Sequence, residues 1–150
     1  MAFEFQLEGV LRIRRLMEEQ AQRRLGECLI RIRAAERRLA EAEAWSEATA
    51  RACHKTRLPA AEWGFVDMVL RRTQEAIREH RRQLQAEERR ATELRSAYLK
   101  ARIERRKLSS LREQAWKLYE AETARREQDE LDEAFLRNRE RASGASMTTI

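Results

Sequence analysis

A single proline in 150 residues is the feature that most limits what this chain can become. Pro59, in HKTRLPAAEW, disfavours helix at Leu58 and can itself occupy the first turn of a new helix. On either side of it the sequence runs for long distances without a helix breaker. From Phe5 to about Lys55, apolar or small residues fall at Ala21, Leu25, Cys28, Ile32, Ala35, Leu39 and Ala42, alternating in steps of four and three. That spacing is the heptad seam of a coiled coil. Upstream, Val10, Met17, Ala21 and Leu25 include two successive steps of four, which predicts a straighter, less supercoiled start.

Beyond the proline, a second pattern runs Trp63, Val66, Leu70, Thr73, Ile77, His80, Leu84, Glu87, Ala91, Leu94, Tyr98 and Ala101. It passes through Leu108, Leu111, Ala115 and Leu118 with one irregular step, and Leu131 and Phe135 are its last strong members. The expected fold is therefore all-α: a long antiparallel two-helix coiled-coil hairpin, with a helix over about 5–56, a turn over about 57–61 and a helix over about 62–140. Residues 1–141 form this single unit, and the aperiodic 142–150 reads as a flexible tail. At about 1.5 Å per residue the arms are unequal, roughly 80 and 120 Å. A reversal near Leu58 sets Phe5 opposite roughly Leu111, so 112–140 overhangs its partner with an apolar stripe still on it.

Composition agrees with a seam and argues against an enclosed core. The chain is 39% charged, and its 42% hydrophobic fraction is swollen by alanine. The net charge of +6 is a small difference between 32 basic and 26 acidic residues, although residues 71–107 hold 13 Lys or Arg against 6 acids. No run of about 20 apolar residues appears, and the N-terminus lacks the apolar stretch of a signal peptide. The expectation is a protein in the cytoplasm.

Candidate chemistry is sparse. The four glycines are scattered, so no phosphate-cradling loop is indicated, and Cys28 and Cys53 have no CxxC spacing or His pair for a metal. No catalytic residue, cofactor or metal is expected. His80 interrupts the apolar seam, either to fix register or to open the seam to a partner. Trp45 either caps the coil near its turn or anchors a docking protein. Trp63 reads as a packing residue at the turn. The arginines are spread around the helix, acids are interleaved, and no stacking aromatics alternate with them, which argues against a nucleic-acid partner.

Three stretches resemble the FliJ family of flagellar type III export stalk proteins. They are FEFQLEGVLRIRRLMEEQAQRRLGE at the start, EWGFVDMVLRRTQEAIREHRRQL after the turn, and RKLSSLREQAWKLYEAETARREQDELDEAFLRNR near the end. The resemblance covers nearly the whole chain and extends to the related stalk proteins of virulence injectisomes. It implies a non-catalytic subunit whose coiled coil is similar to the central stalk (γ subunit) of rotary ATPases. Such a stalk enters the hexameric export ATPase (FliI-like), promotes its assembly and activity, and couples it to the cytosolic domain of the export gate (FlhA-like).

Contact with export chaperones, a position at the cytoplasmic face of the inner membrane and membrane association only through partners are also implied. By the same resemblance the gate-binding stripe runs through Arg38, Ala42, Trp45 and Thr49 on the first helix and Val69, Thr73, Ala76 and His80 on the second. Ala42, Thr49 and Thr73 are smaller or more polar than a strong apolar contact wants, which leaves Trp45 and Val69 as the expected anchors. Arg12, Arg14, Arg15, Arg137 and Arg139 at the paired termini are the expected contacts to the ATPase ring. An injectisome stalk, a basic coiled coil binding nucleic acid and a purely structural spacer are the competing readings.

Overall fold

A computed structural model describes residues 2–146, and they form an all-α helical hairpin. Helix α1 spans Glu8–Lys55 and helix α2 spans Ala60–Ser146. The chain enters α1 through an extended segment whose Phe5 and Leu7 carbonyls accept the N–H groups of Glu8 and Leu11. Helix α1 ends with His54 and Lys55 in its last turn, where cations favour the C-terminal end of the helix dipole.

Residues 56–59 make the reversal, so α2 begins earlier than its periodicity suggested. Pro59 stands just outside the first turn, its carbonyl accepting the Glu62 N–H at 2.9 Å. Trp63, read as a packing residue at the turn, donates its indole N–H to the Leu58 carbonyl at 3.2 Å and ties the turn to the start of α2. At the far end α2 continues through Ser146, so 142–146 are helical where the loss of periodicity suggested a tail; 147–150 lie outside the described residues.

The chain divides into two compact units. One is Arg15–Ile103, which contains the turn. Its helices meet along a thin seam in which Cys28, Ala35, Ser46, Ile77 and Ala91 are buried. Small side chains at four of these five positions let two backbones approach closely, and larger members such as Leu25, Ile32, Leu39, Leu84 and Leu94 remain half-buried. The pairing is antiparallel: Cys28 and Arg31 meet Glu87, Glu43 meets Arg81 and Ser46 meets Gln74.

The second unit joins the stretch ending at Arg14 to the stretch beginning at Glu104. Leu11 is fully buried there, Arg112 donates to the Glu8 carboxylate at 2.8 Å, and Phe3 packs edge-on against Trp116 with ring centroids 4.9 Å apart.

The seam positions keep a stricter heptad than hydrophobicity alone implied. On α1 the less exposed positions run Leu11, Arg14, Glu18, Ala21, Leu25 and Cys28, while Val10 and Met17 are exposed. On α2 they run Ala101, Arg105, Leu108, Arg112, Ala115 and Tyr119, while Leu111 and Leu118 point outward. The two successive steps of four and the irregular step both disappear. Charged residues take the seam positions, and apolar neighbours are displaced to the surface, because both helices must hold one register along their length.

Candidate partner-binding surfaces

The eight residues of the expected gate stripe all lie in the Arg15–Ile103 unit. Arg38 and Trp45 precede the seam positions Leu39 and Ser46, and Val69 and Ala76 precede Leu70 and Ile77. In an antiparallel pair these flanking positions fall on the same side of the seam, so one edge of the coil carries all four. Arg38, Trp45 and Ala76 are exposed there. Ala42, Thr49, Val69, Thr73 and His80 are half-buried. The Thr49 hydroxyl donates to the Trp45 carbonyl at 2.8 Å and that of Thr73 to the Val69 carbonyl at 2.9 Å, so both hydroxyls are satisfied within their own helices.

Of the two expected anchors, Trp45 leaves 51% of its surface exposed and Val69 is half-buried. The indole borders a shallow hollow with Thr49, Cys53 and Leu58. Residue-pattern reasoning passed over Phe65, four positions before Val69 on the same face and 65% exposed. Its signal was present in WGFVDM, where more apolar residues occur in succession than one seam can absorb.

The five arginines expected at the ATPase ring are less alike than their charge. Arg12 is exposed, whereas Arg14 occupies a seam position and is half-buried. Arg15, also exposed, belongs to the turn-containing unit. Arg137 is exposed but engaged along its own helix, its guanidinium 3.8 Å from the Glu133 carboxylate and its Nε donating to the Glu133 carbonyl at 3.3 Å. Arg139 is exposed.

Trp116 was not singled out by periodicity, yet it forms an aromatic triangle with Phe3 and Tyr119, and the Arg112 guanidinium lies 5.9 Å from the Phe3 ring centroid. This group fastens the N-terminal segment to α2.

The perturbed ionisations have structural causes. The Arg31 guanidinium is raised above its ordinary value first by its hydrogen bond to Glu87. Partial burial pushes the Glu87 carboxyl up, but hydrogen bonds from Cys28 and Arg31, with the charges of Arg31 and Arg90, together outweigh it and leave Glu87 below its ordinary value. Glu113 is lowered by the hydrogen bond and charge of Lys117. Each is an ion pair on a helix surface or across the seam, and Arg31 and Glu87 border a shallow hollow with Arg38 and Gln83. Among the described residues no group of three His, Cys, Asp or Glu is placed to hold a metal ion, and no helix is long and apolar enough to cross a membrane.

Residues 3–143 match the family model described as Flagellar FliJ protein. No curated protein and no solved structure matches the chain.

Proposed function

The chain belongs to the FliJ family, components of the flagellar protein export apparatus, and we propose that it serves there as the non-catalytic stalk of the export ATPase. In this reading the start of α1 and the end of α2 enter the ATPase hexamer and promote its assembly and activity, with Arg12, Arg14, Arg15, Arg137 and Arg139 as the contacts to the ring. The turn end faces the export gate through the edge that carries Trp45. Escort of export chaperones and a position at the cytoplasmic face of the inner membrane belong to the same proposal.

The observation that supports it best is the form of the chain: two long helices, one four-residue reversal and a thin seam. Two long helices joined by one short reversal offer extended faces to partners and need no substrate cleft. Long helices stay straight in water only when packed along an apolar stripe, and here the stripe is narrow enough to leave most of each helix surface available to a surrounding ring.

The test is ATP hydrolysis by the purified export ATPase as this protein is added. Stimulation accompanied by a shift of the ATPase towards hexamers is expected. Unchanged hydrolysis and assembly, with this protein folded and in excess, would contradict the stalk reading and favour a spacer.

A further inference from the structure

The apolar face of α2 changes sides after Tyr119. The seam positions of the preceding stretch, Leu108, Arg112, Ala115 and Tyr119, would continue in register as Glu122, Arg126, Asp129, Glu133, Leu136 and Glu140, nearly all charged. A new heptad stripe instead runs Ala121, Ala124, Gln128, Leu131, Phe135 and Asn138 in steps of three and four, every member exposed. Leu131 lies twelve residues beyond Tyr119, which places it roughly 120° around the helix from the old seam. An extension of α1 along its own line would meet the charged side, so this stripe is not the remnant of the intramolecular pairing. Leu131 and Phe135 expose 65% and 68% of their surface.

We propose that this stripe is the interface of an antiparallel homodimer, in which residues 118–141 of α2 pair with the same segment of a second copy. Charge selects that occupant. Residues 120–133 hold seven acids and two arginines, and 137–141 hold three arginines and one acid, so two copies are complementary only head to tail. Setting Leu131 opposite Gln128 of the second copy also places Phe135 against Ala124 and Asn138 against Ala121, so that the bulky Phe135 ring meets a small side chain.

The same register brings Arg125 beside Asp132 of the second copy and Glu120 beside its Arg141, and symmetry repeats both pairs. The alternatives are worse. One heptad step away, Leu131 faces Phe135 and Glu127 meets Arg141, but Arg125 meets Arg139 and Asp132 meets Asp132, so like pairs outnumber unlike ones. A parallel in-register pair sets Glu127 against Asp132 as often as it sets Glu120 beside Arg125, and so gains nothing from charge. Like charges at flanking positions thus disfavour the first arrangement and offset the gain in the second. The dimer does not rest on the stalk reading, although a paired tip and a tip inside a ring exclude one another.

Sedimentation equilibrium of the full chain, from about 1 µM to about 1 mM, covers the affinities expected of so small an interface. A reversible monomer–dimer equilibrium is expected, weakened by added salt and lost in Phe135→Asp. Arg125→Asp or Asp132→Arg alone should raise Kd about tenfold, because two symmetry-related pairs turn repulsive, and the double exchange should restore it. These residues are exposed, so an unchanged circular dichroism spectrum and melting curve will separate lost pairing from lost fold. A chain that stays monomeric throughout, or single reversals without effect, or a double exchange that fails to restore pairing, would each overturn this arrangement.

Discussion

Across the seam of the turn-containing unit, the thiol of Cys28 donates to a carboxylate oxygen of Glu87 at 3.4 Å, and Arg31 donates to that same oxygen at 3.3 Å. Glu87 thereby occupies a heptad position that an apolar residue would ordinarily hold. A half-buried carboxylate is tolerated there because two donors from the opposite helix meet it. Replacing Cys28, which is fully buried, by Ala removes one donor and a packed sulfur together, and is expected to cost about 1–2 kcal/mol in urea denaturation.

The same carboxylate sets an acid limb on stability. The folded pKa of Glu87 lies below its ordinary value of 4.5, so its contribution is fully present above that value and is lost as pH falls through the lower, folded one. Melting temperature followed below pH 4.5 should fall less steeply in Glu87→Gln than in the unaltered chain. Parallel curves for the two proteins would show that the cross-seam ion pair does not set this limb.

The outward placement of Leu118 can be tested against the inward placement of Leu11. Leu11→Ala empties a fully buried site and should destabilise the chain by about 2–3 kcal/mol, whereas Leu118→Ala, at a residue 67% exposed, should change stability by less than about 0.5 kcal/mol. Comparable losses at the two positions would return Leu118 to the seam.

Phe3 tethers the N-terminal segment through its edge contact with Trp116. In a Trp45→Phe, Trp63→Phe background, where Trp116 is the remaining indole, Phe3→Ala is expected to shift the emission of Trp116 to longer wavelength. It should also cost about 1 kcal/mol of stability, the size of an aromatic pair beyond its area. Unaltered emission would mean that the segment does not cover the indole in solution.

Trp45→Ala separates binding from folding. Half of the indole is exposed, so its loss should leave the melting temperature nearly unchanged while weakening binding to the cytosolic domain of the export gate tenfold or more, on the order expected of an aromatic anchor. Full binding by the folded variant would remove Trp45 from the gate surface, and Phe65→Ala would then be the next variant to measure.

The candidate surfaces were only partly legible in the residues. Trp45 was visible as a large aromatic one step outside the heptad, and that position is what leaves it exposed. Val69 holds the corresponding place on α2 but is half-buried, which spacing alone does not reveal. Phe65 and Trp116 escaped notice because neither continues a seam: Phe65 is exposed beside the turn, and Trp116 is fastened by Phe3, a contact 113 positions apart in the chain.

Local chemistry by itself determined that the chain is two long helices reversing at its only proline. Helix propensity, missing breakers and heptad spacing all act over a few turns and agree with one another. Only the tertiary structure decided which side chains occupy the seam. Between Val10 and Leu11, between Leu111 and Arg112, and between Leu118 and Tyr119, hydrophobicity does not select the inward member. The choice falls to a register shared by both helices, because one broken step would rotate every later position away from its partner. A few half-buried charges at seam positions cost less than that rotation, so Arg112 faces Glu8 while Leu111 and Leu118 remain on the outside.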